Sequence, residues 1–249
     1  MSVLEELVAA ARGRSFEPAE LGPPVRSAAP GFADSLRGRG RLAVIAEVKR
    51  ASPSAGVLAA GIDPLEQARA YHRGGAAAIS VLTEPTRFGG SLGDLRRVAG
   101  GSPLPALMKD FVVVPDQVRA ARRLGARAVL LIARILPGAL LGELLAAAGE
   151  EGLDVLVECH TGAEIERALA AGAGLVGVNN RDLDTLAVDT SVALRLLPGL
   201  PDEVVAVAES GYAGGADVEP LRGLADAVLV GSALMTAADP AARIAELAG

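Results

Sequence analysis

Glu47 and Lys49 close an apolar run and stand two residues apart. Period-two geometry puts both side chains on one face of a strand. A carboxylate and an ammonium on an inward face cost free energy unless they pair or act on a bound molecule. The same apolar-then-polar pattern recurs. Lys109-Asp110-Phe111 ends one run, Glu158-Cys159-His160 another, and Asn179-Asn180-Arg181-Asp182 a third. Glu209-Ser210-Gly211 and Gly231-Ser232 end the last two. Alternation puts Leu107 with Lys109 and Leu156 with Glu158. If Lys109 and Glu158 both point inward, one mouth gathers Lys49, Lys109, Glu47, Glu158 and Glu209. Two lysines among three carboxylates form an acid–base constellation whose members shift one another's pKa values.

Ser210-Gly211 and Gly231-Ser232 suggest a phosphate cradle built from backbone N–H groups, with hydroxyls from Ser52 and Ser54 and the charge of Lys49 nearby. Plainer readings stand beside these. Glu47 and Lys49 would also serve as an ion pair closing a barrel end, and Lys109-Asp110 as an exposed strand end. Asn179-Asn180 reads equally as a turn, a reading favoured for Asn180. Cys159 alternates away from Glu158 and reads as a small core residue. His160 reads as a cap or loop residue, and His72 as structural. Phe88 and Phe111 belong to core packing by default, although a flat aromatic ligand would use them. Glu84-Pro85-Thr86 reads as a loop start.

Elements that would position these residues alternate from residue 42 onward. Runs 42–48, 76–82, 104–109, 127–132, 154–158, 175–179, 204–208 and 227–231 read as buried strands. Segments 64–73, 91–99, 116–124, 139–150, 161–171, 190–197, 215–222 and 240–248 read as helices. Pro64, Pro115 and Pro240 fall at or near helix starts, and Gly75, Gly125 and Gly172 fit left-handed stops. Eight β-then-α units predict an α/β fold, a (β/α)8 barrel whose polar strand ends form the functional face. A doubly wound sheet is the alternative, but no Gly-x-Gly-x-x-Gly turn follows the first strand. Residues 1–41 read as a short N-terminal helical extension of a single domain over 1–249, with a helix near its start and a second around 32–36.

The 249 residues suffice for one large domain, and 51% hydrophobic residues for a sizeable core. Aromatics make up only 2%, so that core must be built from Ala, Val and Leu. The net charge of −6 argues against nucleic-acid or anionic-membrane partners. One cysteine excludes an internal disulfide and fits a cytoplasmic location. Glu5 and Glu6 stand where a signal peptide would be basic. No run reaches the roughly 18–20 apolar residues of a membrane span. Low Cys and His counts speak against a dedicated metal site.

The chain resembles the indole-3-glycerol-phosphate synthase family of tryptophan biosynthesis. The resemblance rests on Ile45-Ala46-Glu47-Val48-Lys49-Arg50-Ala51-Ser52-Pro53-Ser54, Ile79-Ser80-Val81-Leu82-Thr83-Glu84 and Phe88-Gly89-Gly90-Ser91. It continues through Lys109-Asp110-Phe111, Gly177-Val178-Asn179-Asn180-Arg181-Asp182-Leu183, Ala208-Glu209-Ser210-Gly211 and Val230-Gly231-Ser232. It covers about residues 42 to 248 and implies a (β/α)8 barrel with an N-terminal extension. Departures are a short, proline-rich extension, Tyr212 where an aliphatic residue is usual, and Cys159-His160 after Glu158.

The resemblance implies a cofactor-free carboxy-lyase acting on 1-(2-carboxyphenylamino)-1-deoxyribulose 5-phosphate. It assigns Lys109 to protonating the sugar carbonyl, and Lys49 and Glu47 to dehydration. Glu158 would position groups or share acid–base work, and Asn179 and Glu209 would hold substrate hydroxyls and orient the lysines. It implies Arg181 for the substrate carboxylate or for closure. Ser52, Ser54, Ser210, Gly211, Gly231 and Ser232 go to the phosphate, and Phe88 and Phe111 to the anthranilate ring. The expected partner is this phosphorylated small molecule, and the expected state a monomer or weak homo-oligomer. Two other readings are an isomerase of phosphoribosylanthranilate, which needs Cys and Asp, and a barrel that binds a phosphorylated ligand without turnover.

Overall fold

β-branched and Leu/Ala-rich runs with no polar face must be covered on both sides, and here they form the staves of a closed parallel barrel. The computed structural model describes residues 2–249 apart from Arg39, Ala55 and Ala60. The staves are β1 (Ala43–Val48), β2 (Ala78–Leu82), β3 (Ala106–Lys109), β4 (Ala128–Ile132), β5 (Asp154–Cys159), β6 (Leu175–Asn179), β7 (Val205–Glu209) and β8 (Ala227–Val230). They pair in chain order, and β1 closes the ring by pairing with both β2 and β8. This is the (β/α)8 barrel expected from the alternation, rather than a doubly wound sheet.

Local chemistry sets the helices between the staves. Asp63 caps Pro64–Arg73 by accepting from Leu65 N at 2.9 Å, and Ser91 caps Leu92–Gly101 by accepting from Asp94 N at 3.0 Å. Thr161 and Asp239 do the same for Gly162–Ala170 and Pro240–Ala248. After three helices the chain turns through Gly75, Gly125 and Gly172 with φ of 85°, 90° and 92°, a region that suits glycine. The helix expected over 215–222 divides into Gly215–Val218 and a 3-10 turn Glu219–Leu221. Pro220 supplies no N–H to continue an α-helical ladder. Among the described residues no helix is long and apolar enough to cross a membrane.

Before β1, the chain forms helices Val3–Arg12, Pro18–Leu21 and Phe32–Leu36; the middle one was not expected. Glu5 of the first helix and Ser2 cap each other reciprocally. Arginines of the barrel hold the irregular stretch by its carbonyls. Arg96 donates to Leu21 O and Pro23 O, Arg123 to Gly22 O, and Arg127 to Pro30 O. Asp154 accepts from Phe32 N and Ala33 N, satisfying the free donors of the third helix. Arg14 crosses to the mouth, and both its contacts with the Asp110 carboxylate are 2.8 Å.

Candidate active site

The strand register brings the polar ends to one level. Leu82 stands beside Lys109, Ile132 beside Glu158, and Asn179 beside Glu209. Successive staves therefore present their last side chains around one mouth, where a barrel builds its active site. A cavity of about 620 Å³ opens there. Its wall includes Glu47, Lys49, Phe88, Lys109, Phe111, Glu158, Asn179, Arg181, Glu209, Ser210, Gly211, Gly231 and Ser232. A second concavity of about 660 Å³ lies between the irregular N-terminal stretch and helix Pro115–Arg123, away from these charges.

Lys109 is the hub. Its Nζ lies 2.9 Å from Glu209 Oε2 and 3.3 Å from Glu158 Oε2. Burial opposes its charge, but the fields of Glu209, Glu158 and Glu47 prevail and hold it above the ordinary lysine range. Lys109 is thus a persistent ammonium rather than the exposed strand end that its position also allowed. Two carboxylates sharing one ammonium separate in titration. Glu158 is buried, yet Lys109, His160 and Asn179 keep it below its usual range. Glu209 is pushed up to about 7, first by burial and further by Glu158 and Glu47, against the pull of Lys109. Its Oε1 is buried and meets no hydrogen-bond donor.

Glu47 and Lys49 form a second pair at 2.7 Å. The missing side chain of Gly231 makes room for them, since a Cβ there would overlap Glu47 Oε1 and lie 2.9 Å from Lys49 Nζ. Tyr71 fixes the backbone at this point by donating to Glu47 O at 3.0 Å.

The aromatic side of the mouth is held by polar groups beneath it. Phe88 and Phe111 face each other with ring centroids 6.3 Å apart and planes inclined by 41°. Glu84 is buried and organises the turn that carries Phe88, accepting from Thr86 N, Arg87 N and Phe88 N at 2.7, 2.7 and 3.1 Å. Burial would raise its carboxyl, but those bonds and the Thr86 hydroxyl hold it low. The loop-start reading of Glu84 therefore understates it. Asp110 accepts from Phe111 N at 2.9 Å and from the Thr83 hydroxyl.

At the opposite side, Ser210 takes φ of 66° and Gly211 of 93°. Asn180 donates to Ser210 O and to the Tyr212 hydroxyl, each at 2.9 Å, and accepts from Ala193 N at 2.9 Å. Asn180 is thus a buried clamp between two loops, not the turn residue favoured from sequence. Asn179 Oδ1 accepts from Arg181 N at 2.9 Å, and Arg181 donates to Leu186 O at 2.7 Å.

Ser52 and Ser54 are not on the cavity wall. Ser52 is buried in a small hairpin formed by Ala51–Ser52 and Gly56–Val57, and Ser54 is exposed at its turn. Cys159 is buried behind β5, as its alternation implied. His160 lies in the loop after β5, as read from sequence, and its side chain is largely buried beside Glu158. Sequence reasoning also passed over the spacing role of Gly177 and the partnership of Arg14 with Asp110, and it noted Tyr212 only as a departure. Gly177 did leave a signal, because a glycine inside an apolar strand marks a close approach.

Comparison with known proteins shows the family. The family described as Indole-3-glycerol phosphate synthase matches residues 4–247. An indole-3-glycerol phosphate synthase of Mycolicibacterium vanbaalenii is 52% identical over 214 residues, covering 86% of this chain and 78% of that protein. One of Mycolicibacterium smegmatis is 52% identical over 207 residues, covering 83% and 76%. Among solved structures, thiamine phosphate pyrophosphorylase from Pyrococcus furiosus aligns with a TM-score of 0.62 at 17% identity, over 87% of this chain and 96% of that one. That likeness bears on the barrel alone.

Proposed function

The chain belongs to the indole-3-glycerol phosphate synthase family, and on that premise we propose how its barrel mouth closes the indole ring. The reaction converts 1-(2-carboxyphenylamino)-1-deoxyribulose 5-phosphate to indole-3-glycerol phosphate, carbon dioxide and water. One observation carries the reading: a lysine held as an ammonium between two buried carboxylates, in a cavity that also presents two phenylalanine rings.

The anthranilate ring packs against Phe88 and Phe111, and the phosphate lies at Ser210, Gly211, Gly231 and Ser232. Arg181 faces the substrate carboxylate. The ring carbon bearing that carboxylate attacks C2′, and Lys109 gives its proton to the carbonyl oxygen, which becomes a hydroxyl. Carbon dioxide then leaves, the electron pair of the broken bond restores the aromatic ring, and a proton from solvent recharges Lys109. In the last step the hydroxyl departs as water with a proton from Lys49, while Glu47 takes a proton from C1′. The 2.7 Å contact of these two groups lets the proton return between turnovers. Glu158, Glu209 and Asn179 hold Lys109 and the sugar hydroxyls in line. General acid–base help of this kind is worth about 10²- to 10⁴-fold per positioned group.

The test is fluorescence of indole-3-glycerol phosphate formed from the carboxyphenylamino-deoxyribulose phosphate with EDTA present. Turnover that persists with chelator is expected. Saturable binding without turnover would make this a ligand-binding barrel, and neither would remove the substrate assignment.

A further inference from the structure

We propose that His160 is a positioning residue for Glu158, acting as an imidazolium held between Glu158 and Glu164. The proposal rests on the reading of Glu158 given above. His160 follows β5, and its side chain is 8% exposed. Its Nε2 lies 3.5 Å from Glu158 Oε1, and its Nδ1 lies 3.4 Å from Glu164 Oε2. These are ion-pair distances, longer than aligned hydrogen bonds. Glu164 is itself fixed, because its Oε2 accepts from His160 N at 2.6 Å and its own N donates to Thr161 Oγ1 at 3.2 Å.

The ring has carboxylates at both nitrogens. Neither ring nitrogen is aligned for a hydrogen bond, so what the two carboxylates favour is the positive charge of the imidazolium between them, which a neutral ring lacks. The surrounding charges agree. Glu158 from β5, Glu164 from helix Gly162–Ala170 and Glu209 from β7 all favour the cation. The nearby cations already have partners. Lys109 sits on the far oxygen of Glu158, Arg134 pairs with Asp182 and Asp184, and Arg167 donates to Ala133 O at 2.9 Å. Burial alone would lower the pKa of the ring; contact with Glu164 and the other carboxylates outweighs it, so the pKa stands above the ordinary histidine value.

Glu158 is therefore clamped from two sides, with Lys109 at Oε2 and His160 at Oε1. The second cation keeps Glu158 ionised and pointed at Lys109. A group whose pKa is raised keeps its proton below that value and loses it as pH rises through it. The clamp is complete below the raised pKa of the ring and opens above it.

The experiment measures kcat and KM across pH for the wild type, His160→Gln, Glu164→Gln and Glu158→Gln, together with NMR titration of the two histidine rings. His160 is expected to titrate above about 6.5, the ordinary value. His160→Gln should lower kcat roughly 10- to 100-fold, the worth of a charge-assisted contact. KM should change by less than about twofold, and the alkaline limb that tracks His160 should vanish. Glu164→Gln should shift that limb to lower pH. A ring that titrates at or below about 6.5, or a Gln variant with the wild-type rate and limb, overturns the proposal. Full activity in Glu158→Gln instead removes the reading of Glu158. An inactive Glu158→Gln beside an unaffected His160→Gln removes only the role of His160. Should His160→Gln fail to fold, the wild-type titration and Glu164→Gln decide.

Discussion

The bare Cα of Gly177 leaves room for Glu209: a Cβ at Gly177 would overlap Glu209 Oε1. Through this vacancy in β6, the carboxylate of β7 reaches Lys109 with its other oxygen. Gly177→Ala should push Glu209 off Lys109. We expect kcat to fall about 100-fold, as misplacement by an ångström can do, and stability to fall by about 1–3 kcal/mol from overpacking. Steady-state kinetics and urea unfolding check both. Wild-type kinetics would mean that Glu209 has another place to sit.

Lys109→Ala should abolish ring closure, lowering kcat by at least about 10². It also leaves Glu158 and Glu209 facing each other without their shared cation, so both should take up protons more readily. Turnover and far-UV circular dichroism separate lost chemistry from lost fold. A near-normal kcat would end the assignment of Lys109 as the acid.

Stability should follow the pH dependence of Glu209. Its folded carboxyl titrates at about 7, against 4.5 for the free side chain. Between those values the folded chain keeps a proton that the unfolded chain has released. Its contribution is full below 4.5 and is lost as pH rises through about 7. Relative to the wild type, Glu209→Gln should therefore gain stability from pH 5 to pH 8 in urea titrations. A constant difference over that range would contradict the raised pKa.

Ser210→Ala removes a hydroxyl but retains a side chain where φ is 66°. Loss of a phosphate contact made equally in ground and transition states should raise KM while kcat stays near its starting value. The reverse pattern would move Ser210 from binding to chemistry. Ser210→Gly should also lose the contact but relieve backbone strain, so it should unfold at higher urea than Ser210→Ala.

Arg14→Ala should free the N-terminal segment from the mouth. The Arg14 side chain is 19% exposed and that of Asp110 is fully buried, so the variant leaves a buried carboxylate with only Thr83 and Phe111 N. A loss of about 1–3 kcal/mol is expected. KM should rise as well, because Phe111 moves with Asp110. Unchanged KM and unchanged urea midpoint would show the clamp to be idle.

The barrel was legible because its chemistry is local. Apolar runs, Pro at helix starts and glycine stops each occupy their own few residues, and they place all eight staves. Glu47 with Lys49 and Lys109 with Glu158 were legible for the same reason, since alternation assigns faces and the barrel aligns ends. What depended on distant partners was not. Asn180 reads as a turn until Tyr212 and Ser210 O meet it across two loops. Ser52 and Ser54 carry no local sign of the small hairpin that Ala51–Ser52 forms with Gly56–Val57. Arg14 carries no local sign that Asp110, 96 residues later, is its partner.

The ring of staves is joined where the first meets the last, through pairs such as Ala43 with Ala227 and Ala46 with Val230. Gly231 and the Glu47–Lys49 pair meet across that seam. The mouth therefore cannot exist until the last stave has been made and has met the first. Until β8 has cleared the exit tunnel, the nascent chain carries every lysine of the site but no enclosure to hold them. Activity during synthesis should thus arise in one late step rather than grow with length.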